Sequence, residues 1–395
     1  MNPHPRKFFL SCLAFLVSSL CLLQAAETTA SDQPANPAGF QIRRGTNLSH
    51  WLSQDFGWAP RKTWITENDI RFIARAGFDH VRLPIDEKEL WHEDGTRNDE
   101  AFALLQTAIA WSRANNLRVI VDLHTVRAHH FNAKNEGMTN TLWSNPKAQE
   151  NFLRLWRDLS AVLHDQPVNA VAYEIMNEPV ADDAEDWNKL IATSVAAIRS
   201  SEPNRVLIIG SNRWQGPETF PLLKVPVGDK NIILSTHYYG PLPLTHHKAD
   251  WTPLKNYTGP IHYPGNLLHP DEIEKLNNSG DVEMIKAVKD HAGEWNAQRF
   301  QQQFAPAITR ARELGLQLYC GEFGCLPTID RADRLTYYRD LISVLERNGM
   351  AWANWEYKGD FGLFEWFGAR YLTGAPDDEL IDALLSRRTA ALKSK

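Results

Sequence analysis

The segment Tyr173-Glu174-Ile175-Met176-Asn177-Glu178-Pro179 begins as an apolar strand and ends on an amide, a carboxylate and a proline. Proline has no N–H and fixes φ, so sheet pairing stops there. The strand thus delivers Asn177 and Glu178 to a rim. A second strand, Leu318-Tyr319-Cys320-Gly321-Glu322, delivers Glu322 in the same way. Two carboxyls on two strands suit a reaction that needs one protonated acid and one ionised acid. The first gives a proton to a leaving oxygen; the second attacks carbon or activates water. Asn177 and Glu178 both face such a site only if the chain bends at Asn177. Glu174 shares the parity of Glu178 and is expected to be a buried, paired structural carboxylate.

The elements that must position these residues alternate along the chain. Short apolar strands are predicted at 42–47, 80–83, 119–123, 170–176, 205–209, 231–236, 317–320 and 351–355. Val119 to Leu123 is a mostly β-branched run, interrupted at Asp122, of the kind found in sheets buried on both faces. Helices are predicted at 66–76, 98–116, 145–164, 183–201, 298–314, 330–348 and 377–392. Their ends carry the expected signals, such as Asn145-Pro146 at a start and Gly77, Gly315 and Gly349 at stops. Eight strands alternating with helices predict an all-parallel α/β sheet closed into a (β/α)8 TIM barrel, one domain over 40–395. No glycine fingerprint for a dinucleotide follows the first strand.

In such a barrel the chemistry sits at the carboxyl ends of the strands. Those ends carry Arg82, His124, Asn177 with Glu178, His237 with Tyr239, Glu322, and Trp355, while the strand bodies are Val, Ile and Leu. Eight polar or aromatic residues spread over six strand ends are hard to explain by packing. Two glutamates across a barrel mouth fit cleavage of a glycosidic bond. Asn, His and Tyr offer hydrogen bonds to sugar hydroxyls, and Trp offers an apolar face for a pyranose. No metal and no cofactor is required. Phosphoryl transfer would want clustered cations or a metal instead. The paired histidines His129-His130 and His246-His247 lack any ligand spacing with Cys, Asp or Glu, so no metal site is expected there.

One long departure from the repeat runs from Tyr238 to Trp295, after strand six, with small helices expected at 271–277 and 282–292. A loop of this length at a strand exit is usually functional. Trp51 and Trp251 fall on rim segments and are expected to stack on sugar, with packing as the alternative. Trp143 and Trp295 adjoin helix starts and are expected to pack there.

The 395 residues include 43% hydrophobic and 23% charged residues, which describes a globular chain with ample core. The net charge is −6 and no basic run occurs, which argues against nucleic acid and anionic membranes as partners. Arg6 and Lys7 precede an apolar run from Phe8 to Leu23, followed by Ala25 and Ala26. That order predicts a secretory signal over 1–26, hence a secreted or periplasmic protein with no membrane contact after cleavage. The polar stretch 27–39, with Pro34 and Pro37, is expected to be a short tether. The mature chain would keep Cys320 and Cys325, read as buried thiols, with a bridge between them as the alternative. Strand alternation would put Cys320 on the face of Glu322. The chain is expected to be a monomer.

The same residues carry a family resemblance across essentially the whole mature chain. Arg43-Arg44-Gly45-Thr46-Asn47-Leu48, Val81-Arg82-Leu83-Pro84, Asp122-Leu123-His124, Ile175-Met176-Asn177-Glu178-Pro179, His237-Tyr238-Tyr239, Gly321-Glu322-Phe323-Gly324 and Trp352-Ala353-Asn354-Trp355 occur in an order that resembles glycoside hydrolase family 5, the old cellulase family A. The resemblance implies a retaining enzyme on a (β/α)8 barrel. It implies that Glu178 is the acid/base and Glu322 the nucleophile. Asn177 would hold the 2-hydroxyl of the sugar being cleaved. Arg82 and Tyr239 would contact the nucleophile and keep it ionised, His124 and His237 would line the subsite, and Trp355 would be its stacking platform. Glu178 would then need a raised pKa and Glu322 a normal or lowered one.

The substrate expected on this basis is a β-linked glucan cut internally, as by an endo-β-1,4-glucanase. β-Mannanase and exo-β-1,3-glucanase are the alternatives within the class. A non-catalytic carbohydrate-binding barrel is the alternative outside it, and would predict loss of a glutamate or of Asn177.

Overall fold

The computed structural model describes residues 34–58, 60–132, 139–366 and 373–386. Eight parallel strands close into a barrel: β1 (Arg44–Asn47), β2 (His80–Asp86), β3 (Arg118–Thr125), β4 (Val171–Glu174), β5 (Leu207–Gly210), β6 (Ile232–His237), β7 (Gln317–Glu322) and β8 (Ala351–Asn354). Their order around the barrel is β1-β8-β7-β6-β5-β4-β3-β2. This is the (β/α)8 fold expected from the sequence. The main helices are α1 (Glu67–Ala76), α2 (Asp99–Ala114), α3 (Pro146–Leu163), α4 (Ala184–Arg199), α5 (Pro270–Asn277), α6 (Val282–Lys289), α7 (Ala297–Leu314), α8 (Arg331–Arg347) and α9 (Asp378–Leu384). The predicted last helix runs to 392, and its final residues lie outside those described.

Local chemistry sets these boundaries. Before α1, the N–H and hydroxyl of Thr66 both donate to Asp69 Oδ2 at 2.7 Å, and Gly77 leaves the helix at φ 100°. Asn145 Oδ1 accepts from the N–H groups of Lys147 and Ala148 at the start of α3, where Pro146 needs no donor. Between β5 and β6 no α-helix forms. A 3-10 helix, Pro217–Leu222, stands in its place. Pro217 and Pro221 each remove an N–H from that stretch, which suits a short turn better than a continued ladder.

The outward faces of the strands, with Val81, Val119, Val121 and Trp352 among them, pack into one large core under the helices. Inside the barrel a smaller layer holds Phe40, Ile120, Ala172, Val206, Ile208, Ile233, Tyr319 and Ala353. Gly45 is required in this interior, because a Cβ there would collide with the imidazole of His80.

Phe40 directly follows the stretch 27–39 read as a tether. Its N–H donates to Asn36 Oδ1 at 2.9 Å, and Asn36 Nδ2 returns a bond to Phe40 O at 2.6 Å. The Ala38 N–H donates to Asn231 Oδ1 at 3.0 Å. Residues 36–39 are therefore docked on the barrel rather than loose. The predicted signal over 1–26 and the tether up to residue 33 lie outside the described residues.

The segment after β6 holds α5, α6 and a small antiparallel pair, Gly265–Asn266 with Glu294–Trp295. Both expected helices are there, the second ending at Lys289. Trp295 is buried and donates its indole N–H to His291 O at 2.7 Å. No helix among the described residues is long and apolar enough to cross a membrane.

Candidate active site

Above the apolar interior the barrel fills with charge, and Arg82 is its centre. The side chain is fully buried. Its Nε donates to Glu174 Oε2 at 2.6 Å. Nη1 donates to Glu322 Oε1 at 2.6 Å and to Asn47 Oδ1 at 3.0 Å. Nη2 donates to Asn177 Oδ1 at 2.9 Å and lies 3.0 Å from Asp122 Oδ2. One planar cation thus ties β1, β2, β3, β4 and β7 together, a task suited to the fixed fork of guanidinium.

Glu178 and Glu322 face each other beside this hub. His237 Nδ1 lies 2.9 Å from Glu178 Oε1 and 3.6 Å from Glu322 Oε2. One ligand atom from each of the three residues lies within 4.8 Å of the other two. The second oxygen of Glu322 accepts from the Tyr239 hydroxyl at 3.1 Å. The bend expected at Asn177 is made at the next residue, where Glu178 adopts φ 44°. A left-handed conformation at a non-glycine residue costs about 1–3 kcal/mol. On β7 the alternation also fails: its register against β6 shifts between Thr236 and His237, so that His237 pairs with Glu322. Cys320 therefore packs in the outer core while Glu322 turns into the site, which corrects the shared face expected from parity. Cys320 and Cys325 are both free and buried.

The protonation pattern follows from burial. Four carboxyls surround one guanidinium, so they cannot all stay ionised at ordinary pKa values. Desolvation pushes Glu178 well above the carboxylate range, and the charge of Glu322 adds to the shift. Desolvation also raises Glu322, while Arg82 and His124 pull it back. The expected normal or lowered value for Glu322 is thus corrected to a raised one. The direct bond from Arg82 still favours the ionised form of Glu322 over that of Glu178. Asp122 rises to about 7 and Glu174 is raised, both mainly by burial. His124 is lowered to about 4, and its Nδ1 sits 2.7 Å from Asp122 Oδ2. His237 is lowered well below its usual value by burial and by Arg82. Glu174 is the paired structural carboxylate anticipated above.

Trp355 lies at the rim. Its ring stacks on His124 at 5.5 Å with an interplanar angle of 10°. Trp251 is 41% exposed and joins the same rim through Phe361 and His246. Trp51 does not belong with them. It is completely buried and donates its indole N–H to Arg61 O at 2.8 Å. The expectation that it stacks on sugar is corrected: the rim segment folds back, and its largest apolar side chain fills the core. Among the paired histidines, His129 Nε2 accepts from the Val180 N–H, and both ring nitrogens of His247 meet backbone carbonyls.

Three further residues escaped the sequence. Gln215 is fully buried: its Oε1 accepts from the Glu178 N–H at 3.3 Å, and its Nε2 donates to Glu174 Oε1 at 3.1 Å. It sits in a run of three left-handed residues, Arg213, Trp214 and Gln215, with φ of 58°, 58° and 55°. None is Gly or Asn, so no local signal marks the turn. Gly210 makes room for the Gln215 amide, which a Cβ would strike. Asn47 Nδ2 donates to the carbonyls of Gly321 and Asn354, at 3.0 and 3.1 Å. It stood inside a quoted motif, and its place at the end of β1 was the available clue. His50, beside Trp355, pairs with buried Glu356 at 2.9 Å.

Comparison with known proteins bears directly on this constellation. A sequence model described as cellulase (glycosyl hydrolase family 5) matches residues 30–360. The chain belongs to glycosyl hydrolase family 5. Endoglucanase C of Acetivibrio thermocellus is 32% identical over 330 residues, covering 82% of this chain and 93% of that one. Cellodextrinase A of Ruminococcus flavefaciens is 28% identical over 313 residues, covering 78% of this chain and 84% of that one. The crystal structure of endoglucanase Cel5A from Thermotoga maritima superposes with a TM-score of 0.67, covering 88% of this chain and 98% of that one at 24% identity, a likeness of fold. This family 5 protein is an O-glycosyl hydrolase of the cellulase type.

Proposed function

We propose that this family 5 hydrolase is a secreted endo-β-1,4-glucanase that works by double displacement. The observation that carries the mechanism is the close approach of Glu178 and Glu322 around His237, within 4.8 Å between ligand atoms. Retaining enzymes hold their carboxyls about 5 Å apart, and inverting ones about 6.5–9.5 Å. Glu322 attacks the anomeric carbon while Glu178 passes its proton to the departing sugar oxygen. Glu178, now ionised, takes a proton from water. That water releases the sugar from Glu322, and configuration is retained.

Each neighbour has a task in this reading. Arg82 and Tyr239 hold one oxygen of Glu322 each and keep it aimed. Asn177 Oδ1 accepts from Arg82 Nη2, and its Nδ2 has no partner among the described residues. That buried donor is placed for a sugar hydroxyl. His124 and His237 line the subsite, Trp355 offers a stacking face and Trp251 extends it. Burial raises Asp122 to about 7, which lessens the negative charge it brings to Arg82. The endo-β-1,4 specificity is supported by the names of the endoglucanase relatives, and secretion by the charged, apolar and small-residue order of 1–26.

A screen over cellulose, mixed-linkage glucan, xyloglucan, mannan and laminarin tests the specificity. A rapid fall in viscosity of a soluble cellulose derivative, with few reducing ends released, is expected. Release of single sugars from chain ends, or preference for mannan or laminarin, would overturn it.

A further inference from the structure

Outside the active site, the segment after β6 gathers a second group of metal-ligating side chains. His262 precedes the strand Gly265–Asn266, His269 stands at the N-cap of α5, and Glu272 lies in its first turn. One ligand atom from each lies within 4.8 Å of the other two. Glu272 Oε1 is 3.0 Å from His262 Nε2 and 4.0 Å from His269 Nδ1. Glu272 Oε2 accepts from the backbone N–H of His269 at 2.6 Å. That bond fixes the carboxylate and meets the partial positive charge at the helix start.

The two imidazoles stack at 4.2 Å with an interplanar angle of 16°. This places two ring nitrogens beside one carboxylate, a donor set that binds divalent metal. In a tetrahedral zinc site with bonds of about 2.1 Å, ligand atoms lie about 3.4 Å apart. The distances from Glu272 Oε1 to the two rings, 3.0 and 4.0 Å, bracket that value. The side chain of His269 is 61% exposed, so its ring has room to turn toward the carboxylate.

We propose that His262, His269 and Glu272 form a structural site for a borderline transition-metal ion, with zinc the best match. Two nitrogens and one carboxylate suit zinc, whereas calcium and magnesium prefer oxygen alone. The ion would tie α5 to the chain at His262. The next residue is already fastened to α8, through the Tyr263 N–H on Asp333 at 3.1 Å and its hydroxyl on Asp340 at 2.8 Å. The site would thus lock the segment after β6 onto the barrel wall. Glu178, His237 and Glu322 form a similar triad. There the Arg82 guanidinium sits 2.6 Å from Glu322, and its charge disfavours a cation.

Zinc chloride titrated into the metal-stripped full chain, followed by calorimetry and thermal melting, tests this. One zinc per chain and a raised Tm are expected for the wild type and for Glu178→Gln. Both effects are expected to vanish in His269→Ala, whose activity without zinc matches the wild type and whose own zinc-free Tm, lowered by loss of the helix cap, is the baseline for its melts. Glu272→Gln, which keeps the capping acceptor, is expected to lose zinc as well. An absence of zinc binding in the wild type would overturn the site. So would undiminished binding in His269→Ala, or binding lost in Glu178→Gln.

Discussion

Arg82 and Glu322 meet at 2.6 Å, Nη1 to Oε1, in a site where the guanidinium is wholly shielded from solvent. Burial raises Glu322, and Arg82 is the first group to pull it back. Arg82→Lys keeps the charge but loses the fork. It is expected to lower kcat/KM by roughly 10²–10³-fold, the scale for losing one preorganised donor. In the proposed mechanism Glu322 must be ionised to attack, and its pKa rises as Arg82 retreats. The acidic limb of the pH–rate profile is therefore expected to move to higher pH, measured by initial rates across pH 4–8. An unmoved limb would deny the pairing its role.

His246 is buried, and that burial lowers it to about 3. An unfolded histidine takes up its proton near pH 6.5. Between those values the unfolded chain binds more protons than the folded one, so stability falls as pH falls. His246→Asn removes this dependence. The gap in unfolding free energy between wild type and variant is expected to narrow by about 1.4 kcal/mol per pH unit below 6.5. Urea melts at pH 7, 6 and 5 read it directly, and a constant gap would show that His246 is charged when folded.

Trp251 and Trp51 separate binding from packing. Trp251→Ala removes a 41% exposed ring from the rim. It is expected to raise KM about fivefold, for ~1 kcal/mol of stacking, with kcat and Tm near wild type. Trp51→Ala empties a fully buried site and strands the Arg61 carbonyl. It is expected to cost about 3–5 kcal/mol of stability. Kinetics and denaturant melts on both variants check the contrast, which the reverse pattern would refute.

Gln215→Leu leaves the Glu178 N–H and one oxygen of Glu174 without their partner. Each unsatisfied buried group costs about 1–3 kcal/mol. Stability is therefore expected to fall by roughly 2–6 kcal/mol. The alkaline limb of activity, which follows Glu178, is expected to shift in the same variant. A loss of stability with an unchanged pH profile would make Gln215 a packing residue only.

The contrast between Gln215 and Glu178 shows what the sequence carries. A strand end is legible because its body is apolar and its tip is not. Arg82, His124, Asn177, Glu178, His237, Tyr239, Glu322 and Trp355 all announce themselves this way, and the barrel follows from the same alternation. Gln215 lies on a loop whose left-handed turn uses Arg, Trp and Gln, so composition is silent. Trp51 misled because a rim position in the chain does not fix whether a ring turns outward. The face of Cys320 was misjudged because alternation assumes an unbroken register, and β6 against β7 shifts one pairing before Glu322. A single Arg partner suggests a pKa for Glu322 at or below the usual value, but burial and the neighbouring carboxyls raise it.

Whether Glu322 forms the covalent bond is tested most directly by trapping it. A cello-oligosaccharide fluorinated at the 2-position, with a good leaving group, slows release of the glycosyl-enzyme more than its formation. Peptide mass mapping after inactivation should find one glycosyl adduct, on Glu322, both in the wild type and in Glu178→Gln, because a good leaving group needs no proton from Glu178, and none in Glu322→Gln. An adduct on Glu178, or turnover with inverted configuration and no adduct, would contradict the double-displacement account.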